Sequence, residues 1–161
     1  MPKSAGCLVR DVMTKSVATV QVGADVHELE KMFVDRGIHG APIVDEHQRL
    51  VGVVSQTDLL HWHYELGVDS SSFYESTEVR LGEQADIGTL RVADIRQAKV
   101  SEVMSPVTHV IRPDETAGYA ASRMMELGVH RLIVIDEERR VVGIVSAMDL
   151  LRLVPGSGAR V

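Results

Sequence analysis

Aromatic residues are scarce in this sequence, with one Trp, three Tyr and two Phe among 161 residues. A packed interior must therefore come from Val, Ile, Leu and Met. Cys7 is the only cysteine, which excludes an internal disulfide and fits a reducing compartment. There is no excess of positive charge: 17 Lys and Arg stand against 23 Asp and Glu, a formal net charge of -6. Neutralising a nucleic-acid backbone takes a dense basic face, so that class of partner is not expected. No uninterrupted apolar run reaches about 18 residues, and residues 1–10 hold no apolar signal core. These absences predict a soluble, cytoplasmic protein that binds neither membrane nor nucleic acid. The remaining composition, 45% hydrophobic and 25% charged, is that of an ordinary globular chain.

The sequence does contain a repeat. At an offset of 91 residues, VMTKSVATVQV (12–22) falls on VMSPVTHVIRP (103–113) without a gap. RGIHGAPIVDEHQRLVGVVSQTDLL (36–60) falls on LGVHRLIVIDEERRVVGIVSAMDLL (127–151), and half of the 24 residues from 37 to 60 are identical to their counterparts. Repetition on this scale signals a duplicated structural unit.

Each copy reads as βαββα. A short apolar strand (17–22 and 108–111) leads into an amphipathic helix. In copy one Asp25 and Glu28 are spaced as a capping box, and Val26, Leu29, Met32 and Phe33 recur at helical spacing. In copy two Thr116 is the cap, and Ala117, Ala120, Met124 and Leu127 form the stripe. Gly37 and Gly128 stand where a left-handed residue ends each helix. Two strands follow (41–44 and 50–54; 132–135 and 141–145), joined by charged turns. Their near-continuous Val and Ile predict burial on both faces. A last helix begins at Ser55 or Ser146; in copy one residues 61–66 prolong it, and in copy two it stops before Pro155. The fold class is α/β (α+β), with the repeats at 8–60 and 100–154 and an insertion at 61–99, packed at best through Phe73 and Tyr74. A unit of roughly 50 residues buries too little surface to stand alone, so the copies should pack about a pseudo-twofold axis, creating two equivalent clefts.

The twice-repeated signature V-M-(T/S), G-(I/V)-H-x-x-x-(I/V)-(V/I)-D-E and G-(V/I)-V-S-x-x-D-L-L resembles a tandem CBS-domain pair, also called a Bateman module. The segment 128–151 is also similar to a repeat of the gamma subunit of AMP-activated protein kinase. That resemblance implies a regulatory module whose clefts bind AMP, ADP, ATP or S-adenosylmethionine. The family's ribose-binding aspartate maps to Asp58 and Asp149, accompanied by Ser55 and Ser146; a carboxylate can accept from both ribose hydroxyls. The adenine-flanking positions map to Val17, Ala18, Ile38 and His39, and to Thr108, His109, Val129 and His130. By the same resemblance Asp149 shares a cleft with Ala18 and Ile38, and Asp58 shares one with His109 and Val129. His130 and Arg131 match a phosphate grip, whereas copy one carries Gly40 in place of the arginine.

S-x-x-D ahead of an apolar run is also a helix capping box that needs no ligand. His61 and His63 lie two apart, and on a helix such residues do not share a face, so no metal site is assigned. No Walker loop, metal cluster or cysteine nucleophile stands out. With no such motif and with a regulatory family resembled, the chain is expected to be no enzyme and to need no cofactor; the resemblance further implies an unknown regulated protein, and with the prevalence of twofold symmetry it implies a homodimer as the assembly. A structural dimerisation unit with empty clefts and an S-adenosylmethionine sensor are the alternatives.

Overall fold

The computed structural model describes residues 6–65 and 98–154. Repeat one runs β1 (Val20–Gln21), α2 (Val26–Arg36), β2 (Gly40–Val44), β3 (Leu50–Ser55) and α3 (Gln56–Glu65); a single helical turn, α1 (Val9–Val12), precedes it. Repeat two follows the same order after α4 (Val100–Val103): β4 (Val110–Ile111), α5 (Ala117–Leu127), β5 (Arg131–Ile135), β6 (Val141–Ser146) and α6 (Ala147–Leu151). Each repeat carries a three-stranded mixed sheet, ordered β1-β2-β3 and β4-β5-β6. The short first strand is parallel to the middle one, and the last two form an antiparallel hairpin. The 66–97 stretch, with Phe73 and Tyr74, and the tail from Pro155 lie outside the described residues.

The helices end where their sequences demand it. Gly37 and Gly128 adopt φ of 60° and 64°, and their N–H groups turn back to the last carbonyls of α2 and α5. Thr116 caps α5 by accepting from Tyr119 N at 3.1 Å. The capping box expected at Asp25 does not form. That carboxylate instead takes the Lys99 ammonium at 2.6 Å, which ties the start of α2 to the segment leading into repeat two. The stripes face inward as expected, with Val26, Leu29 and Phe33 buried on α2 and Ala117, Ala120 and Met124 on α5.

The first strands are shorter than the apolar pattern suggests, because residues just before them serve the opposite repeat. Thr14 pairs with Ile144 in both directions (2.8 and 2.9 Å), so 15–19 must cross between the repeats before Val20 joins its own sheet. Ser105 pairs with Val53 in the same way (2.9 and 2.8 Å). The lead-in helices are exchanged likewise. Val9 of α1 is buried in repeat two's core with Ile111, Ala120, Leu132 and Val145. Val100 of α4 is buried in repeat one's core with Val26, Leu29, Phe33 and Ile43. A third cluster, Leu50 with Ile133 and Ile135, joins the two sheets.

Burial on both faces holds for most of β2 and β5 but not for the outer strands. In β3 buried and half-buried residues alternate, and β6 ends in the same pattern. Half-buried Val53 and Ile144 occupy equivalent positions in these two strands, and between them opens a cavity.

Candidate functional site

The cavity has a volume of about 450 Å³, within the roughly 300–1,000 Å³ usual for small-molecule sites. Both repeats build it. Repeat one contributes His39 through Pro42, Val53 through Ser55, and Asp58; repeat two contributes Ser105, Val107, His109, Arg131, Ile133 and Ile144. Its apolar lining is therefore aliphatic, and its polar groups come from strand ends, one helix start and the segment between α4 and β4.

Ser55 ends β3 and Asp58 sits in the first turn of α3, locked together. Asp58 Oδ2 accepts from Ser55 N at 2.7 Å and from Ser55 Oγ at 2.6 Å, while Ser55 Oγ accepts from Asp58 N at 3.2 Å. The capping box is thus real, and it presents a half-buried carboxylate at the cavity wall. His39 lies just ahead of β2. Its carbonyl accepts from Gln56 N, and its Nδ1 lies 3.0 Å from Gln56 Oε1. Gly40 follows it, and a Cβ there would stand 3.1 Å from the Val54 carbonyl oxygen, leaving little room for a side chain. Arg131, the equivalent of Gly40, opens β5 opposite Ser146 in register, and its exposed side chain reaches the cavity of Ser55 and Asp58. His109 is positioned by its carbonyl, which accepts from Ile133 N at 3.0 Å.

Of the residues singled out from the sequence, His39, Ser55, Asp58, His109 and Arg131 meet in this one cavity. Val17, Ala18, Thr108, His130, Ser146 and Asp149 do not line it, nor do Ile38 and Val129, which pack against the cores of their own repeats. Asp149 repeats the cap geometry with Ser146, both bonds to its Oδ2 being under 3 Å (2.9 and 2.6 Å), but its Oδ1 also lies 3.6 Å from the Arg152 guanidinium. The equivalent of Arg152 in repeat one is His61. Ser105, Val107, Pro42, Ile133 and Ile144 were not singled out, although the hydroxyl of V-M-(T/S) carried a readable signal for Ser105. His63 belongs elsewhere: it is buried in α3 with Nε2 2.7 Å from Glu30 Oε1, holding α3 against α2. Among the described residues no group of three metal-ligating side chains comes together, and no helix is long and apolar enough to cross a membrane.

The family model of the CBS domain matches residues 9–65 and again 100–156. The chain belongs to the CBS domain family. Its two matched regions are a tandem CBS pair, and solved CBS pairs share its mixed α+β fold. The structure of CBSX2 in complex with AMP is 25% identical, with a TM-score of 0.67, covering 91% of this chain and 95% of that one. The CBS pair of protein MJ0100, in complex with 5′-methylthioadenosine and S-adenosyl-L-methionine, is also 25% identical, with a TM-score of 0.64 and coverage of 91% and 94%. Among curated relatives, the uncharacterized protein MJ1426 of Methanocaldococcus jannaschii is 28% identical over 151 residues, 89% of each chain. Others are longer proteins. The chain spans 24% of the L-aspartate semialdehyde sulfurtransferase of the same organism, which is 25% identical over 96% of this chain. It spans 23% of the gamma-3 subunit of 5′-AMP-activated protein kinase of Sus scrofa, 26% identical over 86% of this chain.

Proposed function

We propose that this CBS pair is a regulatory module, not an enzyme, that binds an adenosine 5′-phosphate (AMP, ADP or ATP) in the cleft of Ser55, Asp58, His109 and Arg131. One observation carries the reading: a helix-capped carboxylate and an arginine line the same aliphatic cavity of about 450 Å³. The carboxylate suits ribose hydroxyls, the aliphatic lining suits a purine, and the planar guanidinium suits phosphate oxygens. CBSX2, similar along nearly its whole length, was crystallised with AMP, which supports this ligand class. The repeats at 8–60 and 100–154 act as one binding unit, and the output passes through assembly or a partner protein. A cytoplasmic, reducing setting agrees with Cys7 as a free thiol.

The second reading is an S-adenosylmethionine sensor, favoured by the ligands of MJ0100. Calorimetric titration with AMP, ADP, ATP and S-adenosylmethionine separates the two. A ligand at 100 times its Kd should stabilise the fold by about 2.7 kcal/mol. Absence of both heat and thermal shift for all four would leave a structural dimerisation unit with empty clefts.

A further inference from the structure

We infer that the Asp58 cleft selects its ligand by charge, taking anionic adenosine 5′-phosphates and rejecting cationic S-adenosylmethionine, with His39 and His109 strengthening that preference as pH falls. The inference rests on the reading that an adenosine compound occupies this cleft, and it adds which class and what controls the choice.

Among the described residues, the ionisable groups lining the cavity are four: Asp58 from α3, His39 ahead of β2, His109 ahead of β4, and Arg131 opening β5. The outer strands β3 and β6 present only Val53, Val54, Ser55 and Ile144, and the Ser105 segment adds a hydroxyl and the apolar Val107. The single carboxylate is already engaged by two donors from Ser55 through its Oδ2. Among the described residues no carboxylate pairs with Arg131, so its charge is offered to the cavity. With neutral imidazoles the four groups sum to zero; with both protonated they sum to two positive charges.

Imidazole is the side chain whose ordinary ionisation falls between pH 5 and 8. His39 Nδ1 lies 3.0 Å from Gln56 Oε1, which leaves Nε2 as the ring nitrogen that Gln56 does not use. Histidine at 109 is also what separates this cleft from its pseudo-equivalent, where alanine stands at the corresponding position, Ala18. An AMP phosphate carries roughly −1.5 to −2 charges at pH 7, whereas the sulfonium and ammonium of S-adenosylmethionine outweigh its carboxylate. Opposite ligand charges in one cavity must respond in opposite directions to the same protonation.

The test is calorimetry of the full chain with AMP, S-adenosylmethionine and adenosine at about pH 8 and about pH 6.5. Wild-type affinity for AMP should rise roughly 10-fold on acidification, that for S-adenosylmethionine should fall, and that for adenosine should stay level. Titrations in buffers of different ionisation enthalpy should show protons taken up with AMP, a readout that needs no variant. In His39→Gln/His109→Gln, checked for an unchanged melting profile, the uptake and the pH response should both shrink. If all three ligands bind with pH-independent ratios, or adenosine follows AMP, the histidines do not read charge and the inference is wrong while nucleotide binding stands. If no adenosine compound binds at either pH, the proposed function itself fails.

Discussion

Asp58 and Asp149 each spend one carboxylate oxygen on the helix cap and have a second to give. At Asp149 that second oxygen faces Arg152, whereas repeat one offers His61 at the corresponding place. The Asp58 cleft is thus better placed to meet a ribose, and Asp58→Ala should have two separable effects. Loss of the cap should lower stability by about 1 kcal/mol without ligand. Loss of a charge-assisted bond should weaken AMP roughly 10- to 100-fold, by calorimetry. AMP binding unchanged in that variant would reduce Asp58 to a cap. Arg131→Ala should weaken AMP and ATP far more than adenosine; equal losses would mean that Arg131 only supports the cleft wall. In the hairpin turn of repeat two, burial opposes ionisation of Asp136, but the backbone N–H of Arg140 at 2.8 Å and its guanidinium at 2.7 Å outweigh it and hold the carboxyl below its ordinary range. A carboxyl depressed on folding contributes stability above the ordinary carboxylate range, about pH 4, and that contribution is lost as pH falls through the lowered value. Asp136→Asn should therefore lower Tm at pH 7, with the difference closing in melts run near pH 2.

Among the elements, the crossing lead-in segments pack directly onto the opposite repeat. Met13 lies over Gly143 and Met104 over Gly52, so tightly that a Cβ at 143 would stand 2.5 Å from Met13 Sδ. At 52 the nearest atom is a backbone oxygen, that of Ser105, at 2.8 Å. Gly143→Ala and Gly52→Ala should each cost about 1–3 kcal/mol by overpacking, measured by denaturant melts. The two should differ in rescue. Shortening the flexible Met13 in Gly143→Ala should recover part of the loss, whereas shortening Met104 in Gly52→Ala should not, because the Ser105 carbonyl accepts from Val53 N and Ser105 N donates back to the Val53 carbonyl. Equal rescue at the two sites would show that backbone pairing does not set the limit.

At the scale of the molecule, the leucine pairs divide cleanly. Leu59 is buried and Leu150 packs against the core of repeat two, while their neighbours Leu60 and Leu151 are 45% and 53% exposed. Val34 and Met125, also related by the 91-residue offset, are exposed at 74% and 84%. Both repeats thus turn matching apolar helix surface outward, and burial of that surface against a second copy is the basis for predicting a twofold homodimer. Light scattering at micromolar concentration should give a dimer mass, and Val34→Glu/Met125→Glu should give a monomer with its CD spectrum intact. A monomeric wild type would overturn the proposed dimer.

The repeat, the βαββα order, the αL glycines and the serine–aspartate caps were all legible from residues alone, because each follows from local spacing and local backbone chemistry. Asp25 was misread for the same reason: its spacing to Glu28 is local, but the Lys99 ammonium that takes the carboxylate lies 74 residues away. Which cleft Arg131 serves could not be read either, since it depends on how two sheets face each other across Leu50, Ile133 and Ile135. The exchange of α1 and α4 was equally hidden. Each is a single turn whose buried valine would satisfy either repeat's pattern, and only the packed pair decides that Val9 fills repeat two and Val100 fills repeat one. Local chemistry determined the parts of this protein, and long-range packing decided which parts meet around the cavity.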